Sequence, residues 1–429
     1  MKKLICILTA MLVLAGCTPA AASQVQSPES ASAAETSDVS VAGIYTYEEH
    51  LELGGQTLDS TWTLTLQEDG TYTLDTQIMG QPKTFTGTYT LGEEPGRVTT
   101  GTPAEGVPEM VVFFKEDGSC DWTLNTDGTC APEGAAGEMP TPEATQTDAD
   151  YAAVAYADLS PTQVMDIYLP ENPTGSDPVI LLLHGGGFAL GDQRMELIRP
   201  VIEAATANGY VVASADYRKS GEATFPAAVA DSKAAVRYLK ANAQTYGIDP
   251  DKIVVWGESA GAYLALMTAL TPETESLNGD VQANADQSSQ VAALVDFYGP
   301  VEFYTMDEEF AALGQTGNDT ASAQSFESQF LGQAVGEDKE TTYQTWWGSY
   351  TDALPDDFGL WAWIEAGDAD ENVPYTQSEN FAAELAEILG QDHVQFTLLE
   401  GAAHEDPAFY TQENLTSVFA FLEQALRNS

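Results

Sequence analysis

Basic residues are scarce in this chain of 429 residues, which has 15 lysines and arginines against 66 aspartates and glutamates. The resulting formal net charge of −51 repels phosphate backbones and therefore excludes nucleic acid as a partner. Because the carboxylates are spread along the chain, they indicate a solvated surface and no acidic binding patch. We therefore assign no chemistry to the acidic residues as a group.

The apolar run at the N-terminus, residues 4–14, lacks the length of a membrane helix, and two lysines precede it. These features are typical of a signal peptide. The run ends in Leu-Ala-Gly-Cys, which resembles the lipobox of bacterial lipoproteins and implies removal of residues 1–16 and lipidation of Cys17. A secretory signal followed by a chance cysteine is the alternative. Either interpretation predicts an extracytoplasmic protein, and the lipobox adds a lipid anchor in the cell membrane.

Cysteine is also rare, with four residues in the whole chain. Cys6 lies in the predicted signal peptide and Cys17 is the predicted lipidation site, so Cys120 and Cys130 are the two cysteines that remain. An even pair of thiols in an exported chain predicts a disulfide that closes a short loop. No further metal-ligating residues lie near this pair, so we expect no metal site and no cofactor.

The chain is too long for one hydrophobic core, since single cores stop growing at roughly 250–300 residues, and two domains are expected. Residues 17–40 are poor in large apolar residues and predict a disordered tether. In residues 41–130, alternation of polar and apolar residues around Asp-Gly turns predicts a small antiparallel β-sheet or barrel. The composition of residues 131–149 predicts a linker, which leaves 150–429 as the catalytic domain. Three strands are expected in the β-module, at 61–66, 71–74 and 111–114.

The β-module loosely resembles the lipocalin-like modules of surface lipoproteins, and its role as a binding or a spacing module stays open. In the second domain, apolar runs alternate with stretches of helical spacing, which predicts a mainly parallel sheet with helices on both faces. The expected strands are 179–183, 211–215, 253–256, 292–297, 361–366 and 394–399. The expected helices are 226–245, 260–270, 376–389 and 407–427. Reacting groups are then expected in the loops at the carboxyl ends of the strands.

The strongest motif is Gly-Glu-Ser-Ala-Gly at 257–261, between a predicted strand and a predicted helix. A serine on a tight strand-to-helix turn needs neighbours without side-chain bulk, and glycines flank it on both sides. We therefore predict Ser259 as a nucleophile. Glu258 is interpreted as a structural residue that supports the turn.

A second motif, His-Gly-Gly-Gly-Phe at 184–188, follows the strand predicted at 179–183. Three glycines let backbone N–H groups approach a substrate oxygen, and we predict that Gly186, Gly187 and Ala260 form an oxyanion hole. No Gly-Lys-Ser/Thr and no GxGxxG spacing follows, which argues against a phosphate-binding loop. His184 is interpreted as a residue that shapes this loop and not as a general base.

These motifs, with Asp-Tyr-Arg at 216–218 and Asp-Pro-Asp-Lys-Ile at 249–253, resemble the hormone-sensitive-lipase-like esterases and the bacterial acetyl esterases or feruloyl-esterase-like enzymes. The resemblance covers about residues 150–429. It implies an α/β-hydrolase fold with a mostly parallel eight-stranded sheet, helices on both faces, and the chain order serine, acid, histidine. Arg218 is expected to pair with acidic neighbours as part of the scaffold.

The same resemblance implies the other two catalytic residues. The segment that follows the strand at 361–366 is similar to the family pattern G-x-x-D-x-x-V-P, which selects Asp370, with Asp368 as the alternative. His404 follows the last predicted strand and a glycine turn, in the place of the family's general base. An isolated surface histidine is the alternative for His404.

Together these residues predict a serine hydrolase that cleaves short acyl or aryl esters, including esters carried on carbohydrate. One alternative is a surface-anchored binding lipoprotein with an inactive hydrolase scaffold. Another is an amidase or peptidase, which would use the same residues. The aromatic-rich stretch 300–350 is expected to form either a lid or a wall of the substrate pocket, although burial in an ordinary core would explain its aromatic residues equally well.

Overall fold

A computed structural model describes residues 41–53, 56–78, 81–92, 95–101, 119–132, 147–315, 317, 319–354 and 358–428. The lipidation predicted at Cys17, the tether and the strand predicted at 111–114 lie outside these residues. The chain divides into two compact units: residues 1–49, 59–78 and 82–140 belong to the first, and residues 50–58, 79–81 and 141–429 belong to the second. None of the helices in the described ranges is both long enough and apolar enough to cross a bilayer.

Most described residues of the first unit lie in a sheet of seven strands in chain order, and the strand pairs whose register is defined are antiparallel. Its strands are β1 (Gly43–Leu53), β2 (Gln56–Leu66), β3 (Thr71–Ile78), β4 (Gln81–Leu91), β5 (Arg97–Thr100), β6 (Cys120–Leu124) and β7 (Cys130–Pro132). The hairpin predicted around the Asp-Gly turn at 69–70 is confirmed, with Leu66 opposite Tyr72. An isolated bridge from Thr46 to Thr129 links the first strand to the start of the last one.

Alternation along the strands builds the core of this unit. On β2, Trp62, Leu64 and Leu66 are buried, whereas the threonines between them are partly exposed. Tyr72 and Trp122 are buried in the same cluster. The side chains on the inner face of the sheet therefore form a core that belongs to this unit alone.

The disulfide predicted between Cys120 and Cys130 is wrong. The two residues lie on the neighbouring strands β6 and β7, but Cys130 is opposite Leu124, four residues away from Cys120. At about 3.4 Å per residue, this register separates them by roughly 14 Å along the strands, twice the span that a disulfide can bridge. Both cysteines are buried without a bond between them, and burial raises the pKa of the Cys130 thiol to about 12.

The second unit contains a sheet of eight strands in the order β15-β14-β13-β12-β10-β11-β9-β8. Strands β10 to β15 pair in parallel, and β8 and β9 extend the edge in antiparallel pairs. The strands are β8 (Tyr151–Ala155), β9 (Val164–Tyr168), β10 (Asp177–Leu183), β11 (Val211–Ala215), β12 (Ile248–Glu258), β13 (Ala293–Phe297), β14 (Trp361–Gly367) and β15 (Val394–Leu399).

Helices cover both faces of this sheet. They are α1 (Arg199–Ala207), α2 (Ala227–Ala241), α3 (Ala243–Tyr246), α4 (Ala260–Leu270), α5 (Met306–Leu313), α6 (Phe326–Leu331), α7 (Lys339–Tyr343), α8 (Thr376–Leu389) and α9 (Gln412–Asn428). On β10, Val179, Leu181 and Leu183 pack with buried residues of α2, α4 and α8. The alternate residues Ile180 and Leu182 pack with α1 and α9 on the other face. The predicted α/β-hydrolase architecture is confirmed.

Several elements differ from the predicted ones. The stretch 226–245 divides into α2 and α3 at Asn242, and the last helix begins at Gln412 because a 3₁₀ turn occupies Pro407–Tyr410. Helix α1 and strands β8 and β9 were not predicted. The predicted linker also loses residues at both ends, since β7 extends to Pro132 and the Thr147 hydroxyl contacts that of Tyr168.

Candidate active site

Ser259 lies on a sharp turn between strand β12 and helix α4. Its backbone has φ +52° and ψ −121°, a conformation that is strained for any residue other than glycine. A Cβ atom on Gly257 would lie 2.1 Å from the Gly261 carbonyl oxygen, and one on Gly261 would lie 2.1 Å from that of Leu183. Glycine is therefore required at both flanking positions for the helix to begin directly over the strand.

The structure brings Ser259, His404 and Asp370 together at the carboxyl ends of their strands. His404 lies in the loop after β15, and its Nε2 atom is 2.9 Å from the Ser259 hydroxyl oxygen. Its Nδ1 atom is 2.7 Å from a carboxylate oxygen of Asp370, in the loop after β14. The three side chains form one continuous chain of hydrogen bonds, although they are more than thirty residues apart in sequence.

The two candidate aspartates of the β14 loop have different partners. Asp370 is buried, and the backbone N–H groups of Asn372 and Val373 donate to its second oxygen at 2.7 and 2.9 Å. The carboxylate of Asp368 accepts a hydrogen bond from the Gly401 N–H at 2.5 Å. Asp370 is thus the aspartate in contact with His404, and Asp368 orders the neighbouring turn.

The electrostatic surroundings of His404 favour its protonated form. Burial lowers the pKa of the imidazole, but the charge and the hydrogen bond of Asp370 raise it, and the net effect is a pKa above the ordinary value. Glu405 and Glu258 add to this effect. His404 can therefore hold a proton taken from Ser259 more easily than a solvated histidine could.

Glu258, the neighbour of the nucleophile, is fully buried on the other side of the turn. It accepts hydrogen bonds from the hydroxyls of Tyr410, at 2.9 Å, and Tyr298, at 3.3 Å. Burial raises the pKa of its carboxyl group to about 8. The Tyr298 ring in turn packs edge-on against His404, so Glu258 supports both the turn and the wall behind the histidine.

The glycine loop after β10 faces the same turn. Gly186 and Gly187 have φ angles of +108° and +58°, and a Cβ atom on Gly187 would lie 2.5 Å from the Phe326 ring. A Cβ atom on Gly185 would lie 3.2 Å from the Ser259 side chain, which shows how closely the two segments approach. Among the described residues, none accepts a hydrogen bond from the N–H groups of Gly186, Gly187 or Ala260. These groups are the candidate donors to a substrate oxygen.

A buried polar network that was not predicted holds this loop from behind. His184 contacts the carboxylate of Asp216 through Nε2 at 3.0 Å and the Gly185 carbonyl through Nδ1 at 2.6 Å. The Lys219 ammonium donates to Asp216, and the Tyr217 hydroxyl donates to the His184 carbonyl at 2.9 Å. These contacts of both ring nitrogens agree with the interpretation of His184 as a loop-shaping residue. The sequence signal was the polar cluster directly after β11.

Arg218 belongs to the scaffold, as predicted. Its guanidinium pairs with Asp231 of α2 at 2.9 Å and with Asp280 at 2.9 Å. The Asp231 side chain is fully buried, so this pair fixes the loop after β11 against helix α2.

Residues 165–385, just over half of the chain, match the family BD-FAE. The chain belongs to the BD-FAE family. This confirms the predicted resemblance to feruloyl-esterase-like and hormone-sensitive-lipase-like enzymes.

Two mycobacterial relatives of this BD-FAE chain are esterases by name. The probable carboxylic ester hydrolase LipM of Mycobacterium tuberculosis is 30% identical over 164 residues, which are 37% of each chain. Esterase LipQ of the same organism is 34% identical over 122 residues, which are 28% of each chain. The matched stretch therefore spans about a third of the length of these relatives.

A solved structure resembles the larger part of the chain. A truncated carbohydrate esterase from gut microbiota superposes with a TM-score of 0.57 at 25% sequence identity, covering 64% of this chain and 95% of the other. A bifunctional GH43-CE protein of Bacteroides eggerthii, 19% identical, has a TM-score of 0.56 over 90% of this chain and 51% of its own, and shows likeness of fold alone.

In this BD-FAE chain the stretch 300–350 packs beside the glycine loop. Phe188 of that loop stacks on Phe330 of α6 at 4.0 Å and meets Phe303 at 6.0 Å between ring centroids. Phe303 also contacts Tyr263, one helical turn after the nucleophile, at 4.8 Å. Phe188, Tyr263, Phe303 and Phe330 are all buried in one hydrophobic cluster, which agrees with the alternative of burial in an ordinary core. The lid and the pocket wall stay predictions.

Proposed function

We propose that this protein is a serine esterase in which Ser259 attacks the carbonyl carbon of a carboxylic ester. The observation that carries the proposal is the unbroken chain of hydrogen bonds from Ser259 through His404 to Asp370. It supplies a nucleophile, a base and a residue that orients the base, which are the parts that acyl transfer requires.

In the first half of the reaction, His404 Nε2 accepts the hydroxyl proton while Ser259 Oγ bonds to the acyl carbon. Asp370 holds the proton on Nδ1 and stabilises the imidazolium that forms. His404 then gives its proton to the departing alcohol, and the acyl group remains on Ser259 as an ester. In the second half, water repeats the attack with His404 as base and releases the acid.

We propose that the N–H groups of Gly186, Gly187 and Ala260 stabilise the oxyanion of each tetrahedral intermediate. Ala260 is the first residue of α4, so its N–H lies at the positive end of the helix dipole. Donors that are already aimed at the developing charge need no reorganisation during the reaction, which makes such groups effective.

For the substrate, we propose small acyl or aryl esters, including those carried on carbohydrate. The similarity to a carbohydrate esterase supports this class.

The N-terminal sequence supports a proposed location. We propose that the protein is exported, that Cys17 is its lipid-modified N-terminus, and that the lipid anchors it outside the cytoplasm. Mass spectrometry of the mature protein from membranes tests this, since lipid on Cys17 is expected and an unmodified or intact N-terminus would contradict it.

The central experiment compares Ser259→Ala with Ser417→Ala in the full chain, using a p-nitrophenyl acetate assay. Ser417 is an exposed serine on α9 and controls for the substitution itself. We expect Ser259→Ala to lose about 10⁶-fold in kcat, because the nucleophile of a triad is removed, and Ser417→Ala to keep full activity. Turnover by Ser259→Ala at the normal rate would overturn the proposal.

A substrate panel separates this proposal from an amidase and from an inactive binding protein. We expect turnover of acetyl, feruloyl and acetylated-sugar esters and much slower turnover of the matching anilides. Anilide turnover that exceeds ester turnover would favour an amidase. No turnover of any member, with ligand binding retained, would favour the binding protein.

A further inference from the structure

Lys219 is an unusual residue because its ammonium group is buried deep behind the glycine loop. The three N–H bonds of an ammonium group need three acceptors. Around Lys219 these acceptors are a carboxylate oxygen of Asp216, the Tyr217 carbonyl at 3.1 Å and His184 Nε2 at 3.2 Å. The contact with His184 is the one that has a consequence for the active site.

The surroundings of His184 determine where its ring proton lies. Nδ1 is 2.6 Å from the Gly185 carbonyl oxygen, which can only accept a hydrogen bond, so Nδ1 must carry a proton. A neutral imidazole then has a lone pair on Nε2, and this lone pair needs a donor. An ionised Asp216 has no proton to give, whereas Lys219 does.

Protonation of both nitrogens of His184 is the alternative, with Nε2 donating to Asp216. Burial lowers the pKa of His184, and the positive charge of Lys219 lowers it further, while Asp216 acts in the opposite direction. The net shift is downward, towards the neutral ring. The Tyr217 ring is stacked on His184 at 4.6 Å between ring centroids and brings no charge. The carboxylates of Glu222 and Asp192 raise the pKa of Lys219, against the effect of burial, which lowers it.

The bond from Nδ1 to Gly185 sets the direction of the next N–H group. In a planar trans peptide, the carbonyl of Gly185 and the N–H of Gly186 point in opposite directions. Holding the carbonyl towards His184 therefore turns the Gly186 N–H away from it. Gly186 is one of the three proposed oxyanion donors.

We propose that Lys219 is a positioning residue for the oxyanion loop: it donates to His184 Nε2, keeps the ring in its Nδ1–H tautomer and thereby orients the Gly186 N–H. This inference rests on the proposed esterase function. It assigns to Lys219 the role of a hydrogen-bond donor, beyond that of a counter-charge for Asp216.

Two variants separate these roles in the full chain. Lys219→Met keeps the length of the side chain without a donor, and Lys219→Gln keeps an N–H donor without the charge. In Lys219→Met the ring must donate from Nε2 to Asp216, so it can hold Gly185 only as an imidazolium. As the pH rises, that second proton is lost and the Gly185 carbonyl is released.

The measurement is kcat and KM for p-nitrophenyl acetate across pH. For Lys219→Met we expect kcat at about pH 9 to fall on the order of 10²-fold with KM unchanged, as when one oxyanion donor is lost. Near neutral pH the loss should be small, and Lys219→Gln should keep the flat alkaline limb of the unchanged protein. Equal losses in both variants at every pH would show a charge or folding role and overturn the proposal.

A second measurement needs no variant of Lys219. In the Ser259→Ala chain, the ¹⁵N resonances of the four histidine rings report the tautomer of each ring. Substitution of His50, His393 and His404 by Gln, one at a time, identifies the resonances of those three rings, and the resonances that remain belong to His184. We expect His184 to carry a proton on Nδ1 and a lone pair on Nε2. An Nε2–H ring or an imidazolium at neutral pH would contradict the proposal. Because this readout requires no turnover, it fails or succeeds independently of the esterase assignment.

Discussion

The residues of the β14 loop show how backbone contacts choose between two similar side chains. Asp370 and Asp368 are two positions apart, but the N–H groups of Asn372 and Val373 hold only Asp370 in place. Their donation fixes one carboxylate oxygen and leaves the other facing His404. The orientation of His404 therefore depends on the loop as much as on the aspartate.

Asp370→Asn and Asp368→Asn make a matched pair, since each replaces a carboxylate by an amide in the same loop. We expect Asp370→Asn to lower kcat by about 10⁴-fold, because an amide no longer fixes the required tautomer of His404. We expect Asp368→Asn to change kcat little. The measurement is ester hydrolysis with the stability of both variants checked by thermal unfolding.

The acid limb of the pH–rate profile gives the same pair a second readout. Activity requires neutral His404, so it falls as the pH drops through the pKa of His404, which Asp370 raises. In Asp370→Asn the pKa of His404 should be lower, so the residual activity should fall off at a lower pH than in the unchanged protein. In Asp368→Asn the pH at which activity falls off should not change. Identical limbs in the two variants would contradict the role of Asp370.

At this scale the sequence predicts those residues whose motif carries its own mechanism. Gly257, Ser259 and Gly261 could be predicted because a nucleophile on a tight turn demands that spacing. Lys219 could not, because its role depends on a contact with His184 across thirty-five residues. The disulfide prediction was wrong for a related reason, because the spacing of Cys120 and Cys130 in the sequence does not reveal the register of β6 and β7.

At the scale of elements, a buried ion pair fixes the loop after β11 to helix α2. Arg218 and Asp231 are both shielded from water, and the Arg218 N–H also donates to Asp231 at 2.9 Å. Arg199 and Asp148 form a comparable pair at the surface. The two pairs differ mainly in burial.

This difference predicts unequal effects of the same substitution. Arg218→Met should lower the free energy of unfolding by about 3–5 kcal/mol, because it leaves Asp231 buried without its counter-charge. Arg199→Met should lower it by less than about 1 kcal/mol, because water screens the exposed pair. Denaturant titration of both variants is the measurement, and equal losses would show that the loop does not depend on the buried pair.

Elements with long apolar runs or strong periodicity were predicted from sequence, and the short strand β9 was not. Strands β10, β11, β13 and β14 are largely apolar runs buried on both faces, the pattern expected of parallel strands. Strand β9 was missed because Asp166 interrupts its apolar run. The structure shows that Asp166 is buried and paired with Arg194 at 2.6 Å, a neutralisation that no local pattern reveals.

At the scale of the whole molecule, the two units have separate cores. The core of the first unit is built around Trp62, Tyr72 and Trp122, and all the proposed site residues lie in the second unit. The sequence predicted two domains from chain length and from the change in pattern. The boundary between the domains could not be predicted as accurately. Thr147 and Asp148 are polar residues of the kind found in linkers, but they contact Tyr168 and Arg199.

The separate cores predict that the β-module is not needed for chemistry on a small substrate. A chain that lacks residues 41–132 but keeps Thr147 and Asp148 should hydrolyse p-nitrophenyl acetate with unchanged kcat and KM, because a domain with its own core can fold alone. Steady-state kinetics beside the full chain are the measurement. Loss of activity in a shortened chain that still unfolds cooperatively would show that the module contributes to the site.

The account depends most on Ser259 becoming covalently bonded during the reaction. The most direct measurement is mass spectrometry of the full chain after treatment with a fluorophosphonate, followed by peptide mapping. We predict one phosphonate per chain, bonded to Ser259, with ester hydrolysis abolished and no labelling of Ser259→Ala. Labelling at another residue, or an unlabelled Ser259 in a protein that still hydrolyses esters, would contradict the account.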